Sequence, residues 1–65
     1  MKILLNGQPH ETRATTVAAL LDELEIPRVG VAIAQNEVVV PRANHATQIL
    51  SEGDKIEIVR AVQGG

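Results

Sequence analysis

The 65 residues include no cysteine and no Phe, Tyr or Trp. Without thiols there is no disulfide framework, no Cys-ligated zinc and no thiol nucleophile. Without aromatic rings, Leu, Ile and Val must supply the core. A domain of this size buries only ~60% of the surface its unfolded chain exposes. Folding without disulfides or metal then relies on regular packing. A basic surplus is missing too: six Lys and Arg stand against eight Asp and Glu, for a formal net charge of -2. That argues against a nucleic-acid binder, which would carry a basic face. No stretch reaches the ~20 apolar residues of a membrane span. The opening "MKILLNG" is too brief for a secretory signal. The expectation is one soluble, cytoplasmic domain that contacts neither nucleic acid nor membrane and is a monomer when free.

The residues that are present fall into short regular elements. Residues 3 to 5, "ILL", read as a strand. Asn6 and Gly7 follow, a pair that tolerates positive φ and so fits a tight hairpin turn. The return strand is placed at His10 to Arg13, and Pro9, which lacks a ladder donor, suggests a sheet edge. In "TTVAALLDELEIP", Val17, Leu20, Leu21 and Leu24 recur at i, i+3, i+4 and i+7, one apolar stripe on a helix of about three turns. Thr15 or Thr16 can cap its start, and Pro27 ends it by driving Ile26 from helical angles. "VGVAIAQ" alternates large and small residues, giving a strand with Val29, Val31 and Ile33 inward. "QNE" turns the chain into "VVV", which Pro41 ends. Residues 41–54 form an irregular connection with Ile49 and Leu50 tucked beneath it. "EGD" is a turn, with Gly53 free to take positive φ. Lys55 to Val62 is the last strand.

One helix and five short strands predict an α+β domain, a single mixed sheet with the helix across one face. The inward set is Ile3, Leu5, Val31, Ile33, Ile56 and Ile58, packed on Val17, Leu20, Leu21 and Leu24. Leu4, Ala32, Ala34, Val59 and Ala61 lie on the other face. That face is more apolar than a solvated one needs to be, and an exposed apolar patch on a small domain marks a partner site. Leu4, Ala32, Val59 and Ala61 are the candidate docking residues.

Side-chain chemistry is sparse. His10 and His45 have no metal-ligand spacing and read as surface histidines. Asp22, Glu23 and Glu25 read as a solvated helix face rather than paired catalytic acids. Arg42 is a lone loop arginine, and Ser51 has no activating partner. Neither phosphate-binding glycine pattern occurs. No enzyme active site assembles, and no cofactor or metal is expected to be bound.

The chain closes on "IVRAVQGG". Glycine lacks a Cβ, so a Gly-Gly tail can thread a channel that excludes every other residue. Val62 to Gly65, fully extended, would reach ~13 Å. A terminal carboxylate is ionised at neutral pH and can attack an electrophile such as the α-phosphorus of ATP. Residues 1–62 are therefore taken as the folded domain and 63–65 as a flexible tail.

"MKILLNGQ", "TVAALLDEL", "VAIAQNEVVVPR" and above all "EGDKIEIVRAVQGG" resemble the ubiquitin-like β-grasp sulfur carriers, specifically those of thiamine biosynthesis. The related molybdopterin carriers also end in Gly-Gly but are usually longer. Where members often carry a tryptophan after "VPR", this chain has His45. The resemblance implies a β-grasp fold and a carrier that is itself no enzyme. It implies that an E1-like adenylyltransferase of the ThiF type, using ATP and Mg, activates the Gly65 carboxylate. A sulfur donor enzyme converts it to a thiocarboxylate, and a thiazole synthase of the ThiG type takes the sulfur. Gly65 would carry the reactive group, Gly64 would keep the channel passable, and Val62 and Gln63 would complete the threaded tail. A protein modifier joined through Gly65 to lysine begins with the same chemistry.

Overall fold

Two asparagines set up the fold. In the computed structural model, which describes residues 1–60, Asn6 and Gly7 both take positive φ (49° and 83°), as do Asn36 and Glu37 (51° and 71°). Two successive residues at positive φ make the tight turn whose twist matches that of paired strands. The first turn joins β1 (Lys2–Leu5) to β2 (Gln8–Glu11), and the second joins β3 (Val31–Gln35) to β4 (Val38–Val40). Because the turn is so short, pairing resumes at once. The return strand is therefore Gln8–Glu11 rather than His10 to Arg13, with Pro9 opposite Leu4. Proline is tolerated because β2 is an outer strand. The last described strand, β5 (Lys55–Arg60), lies in the middle, in the order β2-β1-β5-β3-β4. It runs parallel to β1 and antiparallel to β3. Ala61 to Gly65, and with them the expected domain boundary at 62, lie outside the described residues.

Helix α1 spans Val17–Glu23, two turns rather than three. Thr16 is the cap, its hydroxyl accepting the Ala19 N–H at 3.1 Å. Termination does not wait for Pro27. Glu25 enters the left-handed region at φ 58°. The Ile26 N–H then donates to the Leu21 carbonyl at 2.8 Å, and the Glu25 N–H to the Asp22 carbonyl at 3.1 Å. This pair of reversed bonds closes a helix end, here with glutamate where glycine is usual.

Val17, Leu20 and Leu21 of the helix meet Ile3, Ile33 and Ile56 of the sheet, all essentially inaccessible to water. Leu5, Val31, Ile58 and Leu24 pack around this centre, half-buried. Val29 lies outside it. Gly30 turns at φ 78° before β3 begins, so Val29 never joins the strand's alternation and stays 66% exposed. In the connection after β4, a short 3-10 turn at Arg42–Asn44 leads to His45. Leu50 is buried, whereas Ile49 is 61% exposed. Ile49 forms an isolated bridge with Thr16, and neighbours in extended chain point to opposite sides. His45 is not a surface histidine: it is 2% exposed. Its Nε2 lies 3.2 Å from the Val40 carbonyl, which can only accept, so Nε2 carries the proton. Its own carbonyl accepts the Ala18 N–H at 2.8 Å, tying the connection to the helix. No helix among the described residues is long and apolar enough to cross a membrane.

Candidate functional site

The site is built around the end of β5. Arg60, the last described residue, lies opposite Val31 at the start of β3, so the chain leaves from the centre of the sheet. On the face away from α1, Val59 pairs with Ala32, Glu57 with Ala34, and Ala34 with Val39. These five side chains line a shallow hollow. Val59 is 63% exposed and Val39 is 70% exposed. Apolar side chains this open are not there for the core, and together they form one patch with a single charge, Glu57. Leu4 shares the face at 41% exposure but lies beside Lys55 on the β1 side, in a different row from Ala32 and Val59. Ala61, Val62, Gln63, Gly64 and Gly65 lie outside the described residues. Val39 escaped the sequence reading because three consecutive valines show no alternation. Only its register opposite Ala34 assigns it to the patch.

The polar groups serve the scaffold. Asp22, Glu23 and Glu25 are exposed, as expected of a solvated face, but Glu23 is also tied to the chain ahead of the helix. It accepts the Thr12 hydroxyl at 2.7 Å and the Arg13 N–H at 3.1 Å, with His10 Nε2 3.5 Å away. The Thr12 bond above all holds its carboxyl below the usual glutamate range, against an opposing push from burial, with Arg13 and His10 adding to the effect. Asp22 pairs with Arg28 at 3.0 Å. Asp54 is buried, which pushes its carboxyl up. Bonds from the Asn36 side chain, the Ser51 N–H and the Gln35 side chain outweigh that and leave it lowered. Arg42 is exposed on the 3-10 turn. Among the described residues no group of three or more His, Asp or Glu is arranged to hold a metal.

The described residues form a five-stranded sheet with an open apolar patch on the face away from the helix, beside the last described residues of β5. A ThiS family model matches residues 3–65, taking in both hairpins, the helix, β5 and the two final glycines. The chain belongs to the ThiS family. It is 38% identical over 66 residues to the sulfur carrier protein ThiS of Escherichia coli, with all of both chains covered. It is also 42% identical over 66 residues to a protein of Magnetococcus marinus named thiazole synthase. All of this chain is covered there, but it spans only 20% of that relative's length. The fold matches the crystal structure of the thiamine biosynthesis protein (ThiS) of Geobacter metallireducens with a TM-score of 0.85, at 25% identity and full coverage of both chains. The β-grasp architecture of this ThiS-family chain is therefore the one expected. The glycines at 64 and 65 lie within the stretch matched by the family.

Proposed function

We propose that this protein is a sulfur carrier of thiamine biosynthesis whose cargo is borne on the carboxyl group of Gly65. The observation that carries the reading is the ThiS family match, which runs through both final glycines. On this reading the protein is a carrier, in keeping with the relative named sulfur carrier protein, and the chemistry belongs to partner enzymes. An E1-like adenylyltransferase uses Mg-ATP, and the Gly65 carboxylate oxygen attacks the α-phosphorus with loss of pyrophosphate. The terminal sulfur of an enzyme persulfide then displaces AMP from the acyl carbon. A thiol cleaves the resulting acyl disulfide, leaving a thiocarboxylate on Gly65. A thiazole synthase is the acceptor, a reading supported by the relative that carries a similar segment under that name. The patch at Ala32, Val39 and Val59 faces outward near Arg60, the last described residue, and would serve as the docking surface of a partner that takes the tail, with Leu4 and Ala61 as further contacts.

Intact mass decides the matter. Incubated with the adenylyltransferase, ATP and a persulfide donor, the protein gains the difference between one sulfur and one oxygen. Attachment to lysine side chains, or no change with a competent activating enzyme, would overturn the reading.

A further inference from the structure

Strand β1 leaves the sheet before β5 does. The parallel ladder pairs Leu4 with Lys55 and Leu5 with Ile56, and then β1 turns away at Asn6. Asn6 carries the ladder on by itself. Its backbone N–H donates to the Ile56 carbonyl at 2.9 Å. Its Oδ1 accepts the Ile58 N–H at 2.8 Å, and its Nδ2 donates to the Ile58 carbonyl at 3.3 Å. A side-chain amide bonded to both backbone groups of one residue replaces the peptide group of the departed strand. Because the Ile58 N–H can only donate, the orientation of the amide is fixed. The other turn asparagine grips the opposite end of β5. The Asn36 N–H donates to the Lys55 carbonyl at 2.7 Å, and its Oδ1 accepts the Lys55 N–H at 2.9 Å. So Asn36 holds the entry of the strand and Asn6 holds its exit. Ile58 is two residues before the last one described, and no strand among the described residues pairs with Arg60 on the β1 side.

We propose that Asn6 is the positioning residue for the reactive chain end: by keeping Ile58 in the ladder, it fixes the root from which the tail is presented to the activating enzyme. The proposal rests on the carrier reading of Gly65. Without the Asn6 side chain, β5 beyond Ile56 is held by β3 alone, and β3 itself only begins opposite Arg60. The tail then starts from a fraying strand, and the partner must order those residues on binding.

Asn6→Gly tests this, because glycine keeps the positive φ of the turn and removes only the two side-chain bonds. Hydrogen exchange at the Ile58 amide should accelerate about tenfold, and KM for this protein in adenylation should rise about fivefold with kcat nearly unchanged, as expected for losing bonds of ~1 kcal/mol. Asn6→Asp keeps an acceptor for the Ile58 N–H and should restore part of the exchange protection. Asn36→Gly cuts the grip at the far end of β5. It should lower thermal stability at least as much as Asn6→Gly and leave KM alone. The proposal is overturned if KM stays normal while Ile58 exchanges faster. It is also overturned if Asn36→Gly raises KM equally, since the effect would then be one of general stability. Unchanged exchange at Ile58 in Asn6→Gly overturns it whether or not the protein is adenylated. A wild-type protein that is never adenylated fails the carrier reading instead.

Discussion

Gly64 is the position where adding a single side chain should cost function without touching the fold. On the proposed carrier reading, a valine there would bring a branched, stiff side chain to the channel of the activating enzyme. Gly64→Val should show unchanged circular dichroism and a strongly reduced rate of adenylation. Normal turnover would refute the steric argument. Thr16 is the reverse case, a residue that matters only to the fold. Its hydroxyl caps α1 through the Ala19 N–H, so Thr16→Ala should cost about 1 kcal/mol in denaturant unfolding and leave adenylation at its normal rate. Some residue roles were readable in advance. A threonine ahead of an apolar stripe announces a cap, and Asn-Gly between strands announces its turn. Others were not. His45 looked exposed because a histidine in a polar loop usually is. Its burial depends on the connection folding back onto the helix, a tertiary arrangement no local pattern encodes. Glu23 is exposed as expected, but its bonds to Thr12 and Arg13 come only from the fold, which brings those distant residues to it.

At the scale of elements, the period-3.6 stripe located the helix and alternation located β3, whereas β2 was placed two residues late and the three valines of β4 carry no alternation. Of the expected inward strand residues, Ile3, Ile33 and Ile56 are buried and Leu5, Val31 and Ile58 are half-buried. Boundaries were harder. The helix was expected to run on toward Pro27, but Glu25 adopts positive φ and closes it sooner. Glutamate gives no sequence sign of that conformation. Val29 was lost to the strand for a related reason, since Gly30 turns the chain where alternation alone would have continued it. The two faces of β5 make separate predictions. Ile56 faces the helix and is fully buried, while Val59 faces solvent at 63% exposure. Val59→Asp should weaken binding to the activating enzyme more than it lowers the melting temperature. A large loss of stability would place Val59 on the wrong face. Leu20→Ala should do the opposite, costing about 2–5 kcal/mol through a cavity in the core. That is a large share of the roughly 5–15 kcal/mol available to a small domain.

For the whole molecule, the two lowered carboxyls set a pH dependence. Glu23 and Asp54 both titrate below their ordinary values of 4.5 and 3.8. The unfolded chain therefore binds protons first as pH falls, and the stability these groups contribute is present at neutral pH and lost in acid. The melting temperature should hold steady from pH 7 to about 5 and fall below about pH 4.5. Glu23→Gln should start lower at pH 7 and fall less steeply. A profile identical to wild type would show that the Thr12 contact contributes nothing.

The last described strand is also the sheet's middle strand, and this has a consequence during synthesis. Until residues 55–60 have left the ribosome, no strand joins the two hairpins into one sheet, and neither is stable alone in water. A nascent chain halted early exposes its apolar surfaces without forming the sheet. On the proposed carrier reading, interrupted translation products are thus poor competitors for partner enzymes, since the patch at Ala32, Val39 and Val59 comes into being only when β5 joins the sheet.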